Sequence, residues 1–545
     1  MSPLAAEENF LLQQKGLHII DRRTQPSSPD PMTNSPALPT VAWGGDVNLG
    51  RRQHYRTQAM GAADALSGVP MLAQANLAIV NLECVVATAG QHGVAKGELS
   101  PYYYRARPEM LAVLVAAGID VVTTANNHSG DYGPAALAEQ AALLDALGIG
   151  HAGAGPTADA AFAPLLRRAG DVRVAIFAID ATQPHFAAGP ERFGHAHLPL
   201  DSPAAWTACL APRIARARRE AEVVLVALHW GPNGEHAPGA AEIAVGHAVI
   251  DACADAILGA SAHLLQGVEI YKHRPIVHDA GDLLFDAITR DDDEAGVFSL
   301  ALDVTGVRRV VFTPIQVGFG RSVQREGAPA DAAAQRFIDK SAALGAQFQR
   351  MANGQCAIDL HPPPSEAAPS ISTATPLPGK AVYDLSAIRA AATARPEWQV
   401  HELPAGARLA VPVEIGPLRL LGMRAAPTEL TRRRMLFVET FWELREPTPH
   451  DWRLDVRATP APPSTMQGWG RYMDHDPCDW MWPTSRWTQG TIYRDLHGLR
   501  PPPASALHDA LLRFEVGLVR AGQRLPRVAL PISIRLVVGR PAAAR

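Results

Sequence analysis

The middle of this 545-residue chain alternates short runs rich in β-branched residues with longer runs rich in alanine and leucine. The short runs have the composition of buried strands, and the apolar residues of the longer runs recur at the three- and four-residue spacing of amphipathic helices. Such alternation is typical of a layered α/β domain. We therefore predict an α/β fold for this region, which limits where a functional site can form.

Two segments rich in proline and serine bound the alternating region. The first, RRTQPSSPDPMTNSPALP, covers residues 22–39, and the second, HPPPSEAAPSISTATPLPG, covers 361–379. Segments of this composition have little apolar surface to bury and are typical of arms and linkers. The sequence therefore predicts a flexible N-terminal arm over 1–38, an α/β domain over 39–355, a linker over 356–380 and a second domain over 381–545.

The same patterns predict individual elements. Strands are expected at Val41–Gly45, Leu77–Leu82, Asp120–Thr124, Val172–Ile179, Glu222–Leu228 and Pro275–His278, with further strand-like runs at 297–303 and 308–315. Helices are expected at 107–117, 133–147, 203–220, 238–254 and 330–351. Beyond the linker, valine, leucine and arginine alternate between prolines, which predicts a mainly β domain of the sandwich kind.

Composition and charge exclude several functional classes. Hydrophobic residues make up 47% of the chain and charged residues 19%, which is typical of a globular protein. The formal net charge of −4 provides no overall attraction to nucleic acid. No apolar run approaches the roughly 18 residues of a membrane span, and the first 20 residues lack the unbroken apolar stretch of a secretory signal. We therefore expect a soluble, cytoplasmic protein.

Polar residues follow several of the predicted strands. In open α/β sheets, ligands bind outside the carboxyl ends of the strands, so these residues are expected to share one rim. Each alone is also typical of a turn or a helix cap, but four strand ends of this kind favour a site. Oxygen and imidazole donors suit hard or borderline divalent ions. The candidates are Asp46, Asn48, Asn81, Glu83, Asn126, Asn127, His128 and His229, followed along the chain by His263, Glu269, Asp279 and Asp282.

Five motifs, in this order, resemble those of a known family. They are GGDVNLG, NLECVV, TTANNHSGDYG, HWGPNGEHAP and SAHLLQGVEIYKHRPIVHDAGDLLFD. The series is similar to that of the CapA family of poly-γ-glutamate capsule synthesis proteins and covers about residues 39–320. The resemblance implies a fold similar to calcineurin-like metallophosphoesterases, a four-layered α/β/β/α sandwich. It also implies a cofactor of one or two divalent metal ions, with Mn, Zn, Mg and Ca all open.

The resemblance implies a role for each matching metal-site residue. Asp46 is expected to hold one metal ion, and Glu83 is expected to bridge to a second. Asn127 and His229 are expected to hold the second ion, and His263 is expected to return to the first.

Catalytic and substrate-binding roles follow from the same resemblance. His128 is expected to be the proton donor beside the metal. Arg105, in YYYRARPE, is expected to hold an anionic substrate group, with a surface salt bridge as the alternative. The residues expected to contact the substrate are Asn126, Asp131, Trp230, Glu269 and Asp282.

The chain departs from the family pattern at two places. Family members read G-A-H-P-H where this chain has GASAH, so that only His263 remains, and Asn48 stands where related phosphoesterases use histidine. We keep Asn48 as a metal-ligand candidate. Loss of imidazoles is expected to weaken at least one metal position, since affinity depends on the ligand set. The second position is then weak, vacant or completed by Asp282 or Asp279.

The sequence is compatible with three functions. The first is a metal-dependent hydrolase of the CapA type, acting on a peptide-like γ-glutamyl substrate or a phosphorylated anionic one in capsule or polymer metabolism. The second is a peptide Cα epimerase that uses the same pocket, because epimerases of lasso-peptide maturation also resemble this family. The third is a non-catalytic scaffold with a degenerate metal site.

The second domain carries two local clusters. Six of the ten tryptophans, Trp442, Trp452, Trp469, Trp480, Trp482 and Trp487, lie within 46 residues. They are expected to form the core of the β domain, and the alternative is a surface that contacts a glycan or protein partner. The string MDHDPCD contains Asp474, His475, Asp476 and Asp479. A solvated loop is the preferred interpretation, and a Ca²⁺ site is the alternative.

Overall fold

In the computed structural model, the chain separates into two units. The first contains residues up to Ala87 together with Pro108–Ala391, and the second contains Thr88–Arg107 together with Ala392–Arg545. The predicted arm and most of the predicted linker lie outside the described residues. The structure describes residues 37–98, 101–285, 294–351, 353–361, 376–384, 386, 395–426, 429–430, 435–461, 468–470, 473–500, 508–521 and 523–538.

The first unit is built on two sheets. Among its described residues, sheet A has ten strands and is mixed, because the parallel strands that start at Thr40, Leu77, Val121 and Gly150 continue into antiparallel ones. In spatial order its main path is Gln349–Arg350, Cys356–Asp359, Gly306–Gly318, Glu294–Asp303, Thr40–Val47, Leu77–Leu82, Val121–Thr123 and Gly150–Ala152. Asp282–Leu284 pairs with Thr40–Val47, and Arg321–Gln324 pairs with Gly306–Gly318.

Sheet B has six strands among the described residues, and its four central strands are parallel. In spatial order they are Val268–Tyr271, Arg274–Val277, Ala256–Ala260, Val223–His229, Val172–Asp180 and Leu165–Ala169. The short strands Ala154–Gly155 and Gly194–His195 pair separately, and Val85–Val86 is a further two-residue strand of this unit. Arg105–Ala106 is a two-residue strand of the second unit.

One hydrophobic cluster joins the two sheets. Its fully buried side chains come from both, for example Val41 and Ile79 of sheet A and Ile176 and Leu225 of sheet B. A second cluster covers the other face of sheet B, where Trp206 and other helical residues pack. The helices of this unit are Gln53–Met60, Pro70–Gln74, Ala112–Ala117, Pro134–Leu147, Ala158–Ala161, Pro203–Ala217, Ala240–Asp251 and Gly327–Ala342, with short 3₁₀ turns at Ala62–Ala65, Pro108–Leu111 and Pro184–Phe186.

The second unit is mainly antiparallel β. Sheet C consists of Gln399–Val400, Ile492–Leu499, Leu436–Leu444, Leu418–Ala426 and Arg408–Ile415, and sheet D consists of Glu429–Leu430, Val528–Val538, Ala510–Arg520, Arg453–Ala461 and Gln523–Arg524. The 3₁₀ turns Pro396–Trp398 and Thr484–Arg486 complete the described elements. One buried cluster draws on both sheets. It includes Trp442, Trp452, Trp469 and Trp487, which confirms that these tryptophans pack in the core.

Every predicted strand coincides with an observed strand. The predicted end of one helix and the predicted start of the linker were wrong. The helix predicted at 330–351 ends at Ala342, and Gln349–Arg350 is a strand. The linker predicted to begin at residue 356 begins later, because Cys356–Asp359 is a strand that pairs with Gly306–Gly318. Among the described residues, no helix is long and apolar enough to cross a membrane.

Candidate metal centre

The parallel strands of sheet A place three polar side chains side by side. Asp46 lies opposite Asn81 on one neighbouring strand and opposite Asp282 on the other. Gly45, directly before Asp46, has a φ of 74°, and a Cβ atom there would lie 2.3 Å from the carbonyl oxygen of Gly281. Because only glycine tolerates both the conformation and this close approach, Gly45 allows the two aspartates to come together.

Four side chains converge at this rim: Asp46, Glu83, His263 and Asp282. We call them the AEHD cluster, in which A stands for Asp46, E for Glu83, H for His263 and D for Asp282. One potential ligand atom of each lies within 4.8 Å of those of the others. His263 Nδ1 is 2.8 Å from Asp282 Oδ1 and 3.7 Å from both Asp46 Oδ2 and Glu83 Oε2. The Asp46 and Glu83 carboxylates are fully buried, and the other two side chains are partly exposed. The cluster therefore opens toward solvent on one side.

His263 reaches the cluster from a strained loop. It follows the strand Ala256–Ala260 of sheet B, and both Ser261 and His263 have positive φ angles, of 121° and 61°. Non-glycine residues rarely adopt this conformation unless the surroundings enforce it. The backbone N–H of Ser261 donates to Asp46 Oδ2 at 3.2 Å, which ties the loop to sheet A.

The electrostatics of the AEHD cluster favour an additional positive charge. Burial, together with the neighbouring charge of Asp282, raises the pKa of Asp46 to about 7. Burial alone would lower the pKa of His263, but the charges of Glu83 and Asp282 outweigh it and raise that pKa well above 6.5. Three carboxylates and one imidazole are a donor set that divalent cations accept. The residues present therefore fit a divalent metal ion.

His229 and Asn127 lie beside the cluster. His229 ends the strand Val223–His229, with Nε2 3.1 Å from Asn127 Oδ1 and Nδ1 3.2 Å from Asn81 Nδ2. Its ring nitrogens are each 3.9 Å from a carboxylate oxygen, Nδ1 from Asp46 and Nε2 from Glu83. Burial lowers the pKa of His229 to about 3, which leaves the ring neutral, as a metal ligand must be.

His128 approaches the cluster from a third direction. Its Nε2 is 3.9 Å from Glu83 Oε1, and its Nδ1 is 2.6 Å from Asp131 Oδ2. Asn126 supports this turn, because its Oδ1 accepts from the His128 backbone N–H and its Nδ2 donates to Asn81 Oδ1. Asp131 and Asn126, expected to contact the substrate, thus position His128 and Asn81.

Three other residues predicted to belong to the site make contacts with residues outside the AEHD cluster. Asn48 Oδ1 accepts from the Gly50 backbone N–H at 2.7 Å, as in a turn. Trp230 is buried, and its Nε1 donates to the His278 carbonyl oxygen. The carboxylate of Glu269 contacts His247 and His278.

Arg105 was expected to hold an anionic substrate group or to form a surface salt bridge, and the ion pair that it forms is buried. Its side chain is buried in the second unit, where it donates to the carbonyl oxygens of Thr88 and Ala89 and lies 3.4 Å from Asp479 Oδ2. Asp279, named as a substitute metal ligand, accepts from two backbone N–H groups, those of Ala262 and Gly281. Asp282, expected to contact the substrate, is instead a member of the AEHD cluster.

Sequence reasoning missed a second group at the rim of sheet B. Asp180, at the end of the strand Val172–Asp180, lies opposite His229 and contacts His195 and His197. Both ring nitrogens of His195 are occupied, Nδ1 by Ser129 Oγ and Nε2 by the Gln183 carbonyl oxygen. The group therefore fixes the turn that carries His128. A signal existed, because VRVAIFAID ends in an acidic residue in the same way as the other strands.

The region that carries this site is similar in sequence to known proteins. The model of the bacterial capsule synthesis protein family PGA_cap matches residues 40–287. A probable polyglutamine synthesis accessory protein of Mycobacterium tuberculosis is 27% identical over 299 residues, which cover 47% of this chain and 76% of that protein. The PGA biosynthesis protein CapA of Bacillus subtilis is 27% identical over 294 residues, 53% of this chain and 74% of its own length. The capsule biosynthesis protein CapA of Bacillus anthracis is 27% identical over 292 residues, 52% and 69%. Over residues 40–287, this chain is similar to the PGA_cap family of bacterial capsule synthesis proteins.

Proposed function

We propose that this chain is a metal-dependent enzyme of capsule or polymer metabolism, a hydrolase that acts on a peptide-like γ-glutamyl substrate or a phosphorylated anionic one. The observation that carries the proposal is the convergence of the AEHD cluster, with His128 and His229 beside it, at the rim of two sheets. The names of the relatives, which refer to PGA biosynthesis and polyglutamine synthesis, support a polymer-related substrate.

We also propose a finer architecture for the first unit, a four-layered α/β/β/α sandwich. Two features support it. Sheets A and B share one core, and helices pack on the opposite face of sheet B. On sheet A, Leu72 of the helix Pro70–Gln74 packs near Gly44 beside Val80, whereas the preceding residue of that strand, Ile79, belongs to the core between the sheets. Successive strand residues point to opposite faces, so this helix lies on the outer face of sheet A.

The metal would be held by the AEHD cluster, with His229 and Asn127 as the residues nearest to a second position. A divalent ion bound there would polarise an acyl or phosphoryl oxygen and lower the pKa of a bound water. It would also offset the carboxylate charge that otherwise repels an anionic substrate.

His128 is the group best placed to move a proton. Its Nδ1 is engaged by Asp131, so Nε2 is the ring atom that faces the cluster. A histidine oriented by a carboxylate can hold a proton at Nε2 and deliver it to a leaving group. Removal of Asp131 is therefore expected to lower turnover, because His128 would lose the carboxylate that orients it.

The direct test combines metal content with product analysis. The chain is stripped with a chelator, reloaded separately with Mn²⁺, Zn²⁺, Mg²⁺ or Ca²⁺, and assayed for release of glutamate from γ-glutamyl peptides and of phosphate from phosphoesters. Asp46→Asn removes a charged ligand and is expected to lower both metal content and turnover. Asp251→Asn, which alters an exposed carboxylate paired with Lys272, is the matched control and should change neither.

Other outcomes separate the alternatives. Deuterium uptake from solvent into an intact peptide, without cleavage, would replace the hydrolase with the epimerase. A purified chain with neither bound metal nor a metal-dependent thermal shift would leave only the scaffold.

A further inference from the structure

A second group of metal-binding residue types lies in the other unit, buried in the β domain. His475, Asp495 and His497 are 1%, 1% and 4% exposed, and one ligand atom of each lies within 4.8 Å of the others. Asp495 and His497 are two residues apart on the strand Ile492–Leu499 and therefore point to the same face of sheet C. The backbone of His475 pairs with that of Leu454, which fixes its position against sheet D.

The hydrogen bonds around His475 and Asp495 orient both toward a common point. His475 Nδ1 donates to the Met473 carbonyl oxygen at 3.1 Å, so a neutral ring presents the lone pair of Nε2. That nitrogen lies 2.9 Å from Asp495 Oδ2, while the other carboxylate oxygen accepts from the Asp479 backbone N–H at 3.0 Å. A neutral His475 and an ionised Asp495 thus direct two acceptors at each other, which requires a cation between them or a proton on the ring.

His497 has no such partner. Neither of its ring nitrogens makes a hydrogen bond with the described residues, and Nδ1 lies 3.7 Å from Asp495 Oδ2. Its ring centroid is 3.9 Å from that of His475. Leaving a buried polar group unsatisfied destabilises the folded state, so an imidazole in this position needs a ligand of its own.

We propose that His475, Asp495 and His497 form a binding site for a divalent transition-metal cation of the zinc type, separate from the AEHD cluster. Ligand bonds of about 2.0–2.2 Å in tetrahedral geometry place two donor atoms of one ion about 3.4 Å apart. His475 Nε2 and Asp495 Oδ2 lie 2.9 Å apart, so a small side-chain rotation would bring them to that separation. Metal-bound histidines commonly donate their other N–H to a backbone carbonyl, as His475 does to Met473. Since the site is buried between sheet strands, its role is to stabilise the β domain.

The competing account is a metal-free ion pair between a protonated His475 and Asp495. It explains those two residues and leaves His497 as a buried ring without a hydrogen-bond partner among the described residues. The two accounts differ in whether His497 contributes to binding of a cation, which can be measured without any assay of activity.

The experiment uses the full chain carrying Asp46→Asn and His263→Ala, which disables the AEHD cluster. The protein is stripped of metal and titrated with Co²⁺, and the visible ligand-field absorption and the bound equivalents are recorded. One equivalent of Co²⁺ with imidazole-type absorption is expected. Adding His497→Gln should weaken binding by about 10–100-fold or abolish it. His401→Gln, at an exposed histidine of the same unit, is the matched control and should leave binding unchanged.

A second measurement covers the case in which the His497 variant does not fold. Binding of a cation to the folded state alone raises the thermal midpoint, so Co²⁺ or Zn²⁺ should stabilise the Asp46→Asn, His263→Ala chain in a concentration-dependent way. No bound Co²⁺ and no thermal shift in that chain would overturn the proposal. Unchanged Co²⁺ affinity after His497→Gln would overturn it as well.

Discussion

At the scale of single residues, His229 connects the two sheets of the first unit. It ends a strand of sheet B, yet its ring lies 3.9 Å from carboxylate oxygens of both Asp46 and Glu83, which sheet A carries. Burial, reinforced by the neighbouring imidazoles, lowers the pKa of His229 and outweighs the opposing charge of Asp180, so the ring stays neutral. A neutral imidazole between two carboxylates is suited to share a cation with them.

His229→Ala is therefore expected to weaken binding of Mn²⁺ or Zn²⁺ to the first unit by about 10–100-fold. The hydrogen bonds to Asn81 and Asn127 would be lost, at a cost of about 1 kcal/mol each. Isothermal titration with metal measures the first effect, and urea denaturation measures the second. His361→Ala, at an exposed histidine, serves as the control. Metal affinity equal to that of the unchanged chain would remove His229 from the centre.

The sequence predicted most of this centre because several strands end in donor residues, and the carboxyl ends of parallel strands meet. It could not distinguish Asp282 in the cluster from Asp279 beneath it, because the difference lies in which carboxylate the backbone N–H groups occupy. The buried ion pair of Arg105 could not be predicted, because its partner Asp479 is 374 residues away and no local pattern reports such a contact.

At the scale of elements, the close pairing of Thr40–Val47 with Asp282–Leu284 depends on Gly45. Gly45→Ala is expected to destabilise the chain in two ways, through the positive φ and through the contact with Gly281. Gly345→Ala is the matched control, since that glycine has a φ of 85° and no heavy atom lies within 4 Å of the place that an added methyl group would occupy.

The two changes should differ in size. The backbone conformation costs about 1–2 kcal/mol in either variant, and the contact should add about 1–3 kcal/mol in Gly45→Ala alone. Urea denaturation gives both values. Equal destabilisation by the two substitutions would show that the strands tolerate separation at this point.

Sheet C offers a prediction about pH. Glu439 lies opposite Arg424 on one neighbouring strand and contacts Arg494 on the other. Burial would raise its pKa, but the hydrogen bonds and charges of both arginines outweigh it and lower the pKa below 4.5. Because the folded-state value is depressed, the stabilisation is complete above the unfolded-state value and is lost as the pH falls through the folded-state one.

The Glu439→Gln variant should therefore have a lower thermal midpoint than the unchanged chain at neutral pH. This difference in thermal midpoint, the gap, should become smaller below about pH 4.5. Glu397→Gln, at an exposed glutamate of the same unit, is the control and should not alter the profile. A gap that stays constant down to about pH 3 would contradict the assignment.

Element ends show where periodicity misleads. A helix was predicted over 330–351 because apolar residues continue beyond Ala342. Two of them, Ala346 and Phe348, are buried like the helical residues before them. The helix nevertheless ends at Ala342, and Gly345 has a φ of 85°, which reverses the chain into a strand. The spacing of apolar residues did not reveal this change of conformation, since both a helix face and a strand can bury the same residues.

At the scale of the whole molecule, the second unit contains a segment from the N-terminal half. Thr88–Arg107 groups with Ala392–Arg545, and the buried side chains of Arg105 and Arg107 contact Asp479 and Asp476. The cluster MDHDPCD was predicted to be a solvated loop, and this prediction was wrong, because its three aspartates and its histidine are all buried. The segment supplies the positive charges of Arg105 and Arg107, which allow Asp479 and Asp476 to be buried.

A chain that ends at residue 391 should therefore lose order in this segment while the first unit stays folded. Buried ion pairs that lose one partner are strongly destabilised, so Arg105 and Arg107 would become accessible to solvent. Limited trypsin digestion followed by mass spectrometry should show cleavage after Lys96 and Arg105 in the shortened chain and protection in the full one; Arg107 precedes Pro108 and is not a trypsin site. Cleavage after the exposed Arg192 should proceed equally in both chains and provides the internal reference. Equal protection of Lys96 and Arg105 in the two chains would mean that the segment is ordered by the first unit alone.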